Sequence, residues 1–155
     1  STVLIVLGEA WRLWGVAAAG TVTRRRSRDV QRLVTHGPFA FSRNPLYNGN
    51  YLLWMGFTAL SGVWWFFPIA TALFAIEYYL IVRYEEGVLE SIFGDEYLAF
   101  KHRTPRWIPT RPSGPTAGEF AWAEAWTSEI STFMQYAALL IVFVLKDRYF
   151  PGGLF

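Results

Sequence analysis

The chain has 155 residues, 53% of them hydrophobic, 19% aromatic and only 17% charged, where a soluble domain averages about 25% charged. A net charge of +2 with no basic stripe excludes a nucleic-acid partner, and the absence of cysteine excludes disulfides, thiolate metal sites and cysteine nucleophiles. Two histidines, His36 and His102, are too few for most zinc centres, so no metal is expected.

Residues 2–20 form the first apolar run, interrupted only by Glu9 and Arg12. These two lie three apart and are expected to pair with each other across one helical turn. Because they interrupt the run and no basic segment precedes it, no cleavable secretion signal is expected. A basic stretch, RRRSRDVQR, follows at 24–32. Leu46 to Val82 contains Glu77 as its only charge. That length suits two spans rather than one, since a span needs roughly 20 residues. Ser61-Gly62 gives the turn and Trp64-Trp65 a headgroup-level anchor, so a helical hairpin is predicted at about 46–60 and 63–82. Residues 83–103 read as a separate amphipathic helix broken near Gly94, with Leu89, Ile92 and Phe93 opposite Glu86, Glu90 and Asp95. The proline-rich segment 104–118 is a loop. From Glu119 another helix begins, free of charge from Ile130 to Leu145 and closed by Lys146-Asp147-Arg148.

The predicted fold is therefore all-α and integral to a membrane, with about four transmembrane helices, a central helical hairpin and a cytoplasmic amphipathic helix. Arg24, Arg25, Arg26, Arg28, Arg32, Arg43, Arg83, Lys101, Arg103, Arg106 and Arg111 all fall on one side of it. The positive-inside rule makes that side the cytoplasm. His102 and Lys101 are expected to face solvent or headgroups.

Two segments on that side carry candidate chemistry. GPFAFSRNPLYNGNY, 37–51, sets two turns at the lip of an apolar run. Pro45 suits the first position of a helix whose free N–H groups, beside Arg43, form a site for a carboxylate or phosphate. The plainer reading is an interfacial helix start, capped by Asn44 and anchored by Tyr47 and Tyr51. In RYEEGVLESIFG, 83–94, Glu85 and Glu86 point about 100° apart and serve different partners. Glu86 and Glu90 repel mildly unless a cation lies between them. The plainer reading here is a solvated acidic face.

Taken together, LVTHGPFAFSRNPLYNGNYL (33–52) and EEGVLESIFGDEYLAFKHRTPRWIP (85–109) resemble the superfamily of isoprenylcysteine carboxyl methyltransferases and phospholipid methyltransferases. GEAWRLWGVAAAG (8–20) is similar to the helix leading into the motif, so the resemblance covers about residues 3–109. It implies an enzyme of a cell membrane, bacterial or archaeal, using S-adenosylmethionine at the cytoplasmic face. Its acceptor would be lipophilic or small, approaching from the membrane lipid. A core of 1–112 and a C-terminal extension of 113–155 with a further membrane helix follow from the same division.

The implied cofactor shell is His36, Gly37, Phe39, Asn44, Tyr47, Glu85 and Glu86. Arg43 and the turn before Leu46 would take the cofactor's carboxylate. Glu85 and Glu86 would take its ammonium and ribose hydroxyls. Phe39, Phe41, Tyr47 and the aromatics near Trp107 would frame its adenine. The family motif usually reads Arg-His-Pro; Asn44 keeps a binding role but removes a base at that position. A carboxylate acceptor, slightly favoured, needs a cation: Arg83 first, Arg43 next. An amine acceptor needs a base, and Glu86 is the candidate. Glu77, roughly 9 Å deeper than Arg83 along the helix, is the other ionisable group at membrane depth. Two rival readings stay open: a nicotinamide-dependent membrane reductase, with Arg24–Arg28 holding an extra phosphate, and a non-catalytic membrane protein with a decayed motif.

Overall fold

A computed structural model describes residues 1–20 and 32–150. The described residues form five α-helices and no strand: α1 Thr2–Ala19, α2 Pro45–Ser61, α3 Phe66–Phe93, α4 Asp95–Arg103 and α5 Trp122–Tyr149. A single 3-10 turn, Gly37–Ala40, precedes α2. Arg24, Arg25, Arg26 and Arg28, with the rest of the basic stretch before Arg32, lie outside the described residues.

The pairing of α1 with α2 is set by glycine. A Cβ at Gly8 would stand 2.8 Å from the Gly49 carbonyl oxygen, and one at Gly49 would stand 2.7 Å from that of Gly8. One at Gly56 would stand 2.5 Å from Ile5. Backbones therefore approach to contact distance along both helices, as small residues permit in apolar surroundings. Val16, Ala17 and Ala18 of α1 are almost fully buried.

The predicted hairpin turn is present. Gly62 ends α2 in the left-handed region at φ 76°, where only glycine sits without strain. Trp64 and Trp65 beyond it are exposed. The prediction of two separate helices at 63–82 and 83–103 is corrected. α3 runs unbroken for 28 residues, about 42 Å at 1.5 Å per residue. Nothing between Val82 and Glu86 interrupts a helix; the onset of charge there marks where α3 leaves the apolar layer. The break comes at Gly94, as predicted, with φ 52°. Asn44 sits at the start of α2, but its side chain makes no cap there.

α1, α3 and α5 are long and apolar enough to cross a membrane. α2 has 17 residues, about 26 Å, a little under the ~30 Å of a bilayer core. The loop after α4 is zipped antiparallel onto the segment before α2. Arg43 N–H donates to the Pro105 carbonyl (2.9 Å), Thr110 N–H to Phe41 (3.2 Å), Ser113 N–H to Ala40 (2.8 Å) and Gly37 N–H to Pro115 (3.2 Å). The chain then docks on the end of α1 through Ala121 N–H and the Ala17 carbonyl (2.8 Å). Ala125, Phe120 and Phe133 pack there against Leu13, Val16 and Ala17. At the other end of α5, the Lys146 ammonium donates to the Ser61 carbonyl (2.9 Å). α5 thus meets α1 near its start and α2 near its end.

Candidate active site

The segment before α2, the start of α2, the end of α3 and the inner face of α4 line a cleft of about 380 Å³. Its walls include Phe39, Arg43, Asn44, Tyr47, Glu85 and Glu86. The Arg-Asn-Pro turn and the acidic pair, 42 positions apart in sequence, therefore meet at one cavity.

Glu86 is the node. It is 6% exposed and held by a fork from Arg106, Nε to Oε1 at 3.0 Å and Nη2 to Oε2 at 2.8 Å. Bidentate geometry of this kind is the strong form of the pairing. Arg43 adds a second guanidinium, with Nη1 3.0 Å from Oε1 but out of line for a hydrogen bond. Nε and Nη1 of Arg43 consequently keep buried N–H groups with no aligned acceptor among the described residues. Arg106 is itself pinned by its carbonyl, which accepts from Asn44 Nδ2 (2.9 Å) and the Ser42 hydroxyl (3.2 Å). That is where the Asn44 amide goes instead of capping α2.

Glu85 faces the other way and accepts from the Tyr47 hydroxyl at 2.7 Å; the Tyr47 ring lies 4.7 Å from that of Tyr78. Glu90 pairs with Lys101, so cations relieve the expected Glu86–Glu90 repulsion from both sides. Tyr97, on α4 beneath Glu86, is buried. Burial pushes its hydroxyl up to about 12, helped by Glu86 and opposed by Arg43.

The remaining candidates stand elsewhere. His36 is outside the cleft lining; its Nε2 bonds the Glu119 carbonyl (2.8 Å) and its ring meets Phe120. Gly37, at φ 60°, is packed where a Cβ would meet Phe120 and Trp14. Phe41 lies against Trp11 and Trp14. Arg83 is exposed outside the cleft with its guanidinium over Tyr79 (5.9 Å). Glu77 is exposed on α3.

A second polar layer closes the deep end of the cleft, and the sequence reading passed it over. Arg12 does pair with Glu9 across one turn, at 3.8 Å, but that is its longest ion pair. Its close partners are Glu129 of α5 and Asn50 Oδ1 (2.7 Å), while Asn50 Nδ2 donates to the Tyr78 hydroxyl (3.0 Å). Glu129 is 2% exposed. Arg12, Asn50 and Glu129 all line the cleft. One sequence signal was available: a lone glutamate at the head of a charge-free stretch is costly in apolar surroundings unless paired.

A profile of the phospholipid methyltransferase family matches residues 1–96. The chain belongs to this family. Among individual family relatives, protein-S-isoprenylcysteine O-methyltransferase B of Arabidopsis thaliana is 30% identical over 114 residues, covering 68% of this chain and 56% of the plant protein. Protein-S-isoprenylcysteine O-methyltransferase of Schizosaccharomyces pombe is 30% identical over 117 residues, 70% of this chain and 48% of the yeast protein. Cobalt-zinc-cadmium resistance protein CzcN of Cupriavidus metallidurans is 28% identical over 134 residues, 86% of this chain and 56% of that protein. The chain thus spans about half the length of these curated relatives. No solved structure matches it. The family membership agrees with the resemblance carried by the two motifs at 33–52 and 85–109.

Proposed function

We propose that the chain is an integral membrane methyltransferase that uses S-adenosylmethionine at the cytoplasmic ends of α2 and α3. Its acceptor is a lipophilic or small molecule, with carboxyl O-methylation favoured over N-methylation. The observation that carries this reading is the meeting of Arg43, Tyr47, Glu85 and Glu86 at one cleft. The donor set fits the cofactor. Arg43 brings a guanidinium to the cleft wall, which suits a carboxylate. Glu85 offers a carboxylate for an ammonium or ribose hydroxyls. Phe39, Tyr47, Tyr84 and Phe100 supply flat apolar walls. The cavity volume lies within the ~300–1,000 Å³ of small-molecule sites.

When bound, S-adenosylmethionine supplies a sulfonium-activated methyl group. The chain's own residues hold, align and dry the site. Arg43 takes the carboxylate end, and the Arg106–Glu86 fork fixes Arg43. Both Glu86 oxygens are gripped by guanidiniums, so accepting a proton would require breaking that grip. Glu86 is therefore a positioning residue in this reading, and Arg83, outside the cleft, takes no part. The cation for a carboxylate acceptor is Arg12, which lines the membrane end of the cleft. α2 crosses the membrane as a fourth span, supported by its close antiparallel contact with α1.

Titration calorimetry on the purified chain tests the reading. S-adenosylhomocysteine should bind and NADPH should not, and Glu85→Gln should weaken the former about tenfold, the loss of one charge-assisted contact. NADPH binding in its place would move the assignment to a reductase. Full affinity in the Glu85→Gln variant would remove the acidic pair from the cofactor shell.

A further inference from the structure

α3 carries two opposite charges that the rest of the molecule leaves uncompensated. Glu77 is exposed, with no hydrogen bond or ion pair among the described residues. It is the sole charge between Leu46 and Val82 and lies about 16 Å from the start of α3. An outward-facing carboxylate at that depth is costly unless something pairs with it. Arg83 is also exposed and meets no carboxylate among the described residues. Its guanidinium is turned back over the Tyr79 ring, 5.9 Å from the centroid, although the apolar stretch ends close by. Tyr79 is about 3 Å from Glu77 along the helix axis, so the two charges stand nearly level. At about 100° per residue, Leu80 is midway between them, with Glu77 about 60° to one side and Arg83 about 60° to the other. Leu73 and Ile76 fall within about 40° of Leu80. Leu73, Ile76 and Leu80 are 51%, 62% and 64% exposed. This face is therefore an apolar stripe with an acid on one flank and a base on the other.

We propose that a second copy of the chain docks on this face, the two α3 helices running parallel about a two-fold axis along the membrane normal. Such an axis sets the acid flank of each helix against the base flank of the other, as the flanks of a parallel coiled coil meet. Glu77 of each protomer then pairs with the partner's Arg83, and Leu73, Ile76 and Leu80 pack between the two ion pairs. Within one helix the same residues lie about 120° apart, too far round to meet. The charges are thus complementary between copies and not within one. Acyl chains can cover the stripe but leave both charges unanswered, whereas polar contacts between helices in lipid hold them together. α5 makes the contrast. It also exposes Ile141, Val142 and Val144, but it is free of charge from Ile130 to Leu145, so lipid suffices there. The inference is independent of the reaction assigned to the cleft.

Disulfide trapping tests this, because the chain has no cysteine of its own and one introduced thiol reports its own position. The full chain carrying Leu80→Cys is reconstituted in phosphatidylcholine vesicles at a low protein-to-lipid ratio and oxidised with copper phenanthroline. It should run as a covalent dimer, while Val142→Cys, equally outward on α5, should stay monomeric. Adding Glu77→Gln or Arg83→Gln to Leu80→Cys removes both symmetric ion pairs at once and should lower the trapped fraction about tenfold. Charge reversal then identifies the partner charge. Glu77→Arg and Arg83→Glu chains, each with Leu80→Cys, should trap poorly alone and well when reconstituted together, since the mixed dimer restores two opposite pairs. Equal trapping at Leu80→Cys and Val142→Cys would overturn the proposal, as would full trapping in the glutamine variants. No gain on mixing the reversed chains would overturn the Glu77–Arg83 pairing. Should a reversed chain fail to fold, the two glutamine variants decide the matter by themselves.

Discussion

Glu86 is buried with two guanidiniums around it, and such a group is costly to disturb. Removing one partner of a buried ion pair typically costs about 3–5 kcal/mol, because the remaining charge stays desolvated. The cluster therefore acts as a rigid mount for Arg43 rather than as a set of free reagents. Tyr97 reports on that mount. Its hydroxyl is raised from 10.0 to about 12, burial first and Glu86 second. The folded state then keeps a proton that the unfolded chain releases at lower pH, so stability falls as pH rises from about 10 to about 12. Melting temperatures followed across that window should drop for the wild type and drop less for Tyr97→Phe; equal slopes would mean the tyrosine is not held by the cluster. At this scale the sequence displayed the residue types but not their partners. Arg43, Tyr47, Glu85 and Glu86 were legible because both motifs are polar islands at the edge of apolar runs. Arg106, Arg12, Asn50 and Glu129 were not, because each finds its closest partner on a distant element and only folding states which.

Hydropathy located the helices well, and it located their ends badly where charge begins inside a helix. α3 continues past Val82 because leaving the membrane requires no change of backbone, whereas Gly94 does change it. The α1–α2 contact was written in spacing that hydropathy ignores: Gly8 and Gly15 on one helix, Gly49 and Gly56 on the other, seven apart in each case. Two glycine substitutions separate packing from propensity. Gly49→Ala would place a Cβ 2.7 Å from the Gly8 carbonyl and 2.8 Å from Arg12 Cγ, and backbone cannot swing aside. A loss of about 1–3 kcal/mol is expected, with Arg12 displaced from Asn50. Gly87→Ala, inside α3 with nothing within 4 Å of the added carbon, should gain up to about 1 kcal/mol from helix propensity. Thermal melts of both variants in one detergent decide the matter, and equal and opposite shifts are not required; a neutral Gly49→Ala alone would contradict the close approach.

The molecule as a whole is tied together by α5. The resemblance leaves 113–155 as an extension, and residues 113–129 of it reach back to Ala40, Ala17 and Arg12. The match to CzcN covers 86% of this chain and must include about residues 23–133 wherever it begins, so the head of α5 is shared with at least one relative beyond the family profile. Glu129 is the energetic link. It meets Arg12 in apolar surroundings, where neither charge is tolerable alone. Glu129→Leu should therefore destabilise the chain by about 3–5 kcal/mol, and Arg12→Leu by a comparable amount. The double replacement puts two aliphatic side chains in the same place and should recover most of that loss, since a buried pair is often no better than its apolar equivalent. The recovered variant would still lack the cation at the deep end of the cleft. Its binding of S-adenosylhomocysteine, which needs Arg43 rather than Arg12, should persist while methyl transfer to any carboxylate acceptor is lost. Additive losses in the double variant would show that α5 is attached to the core by something other than this pair.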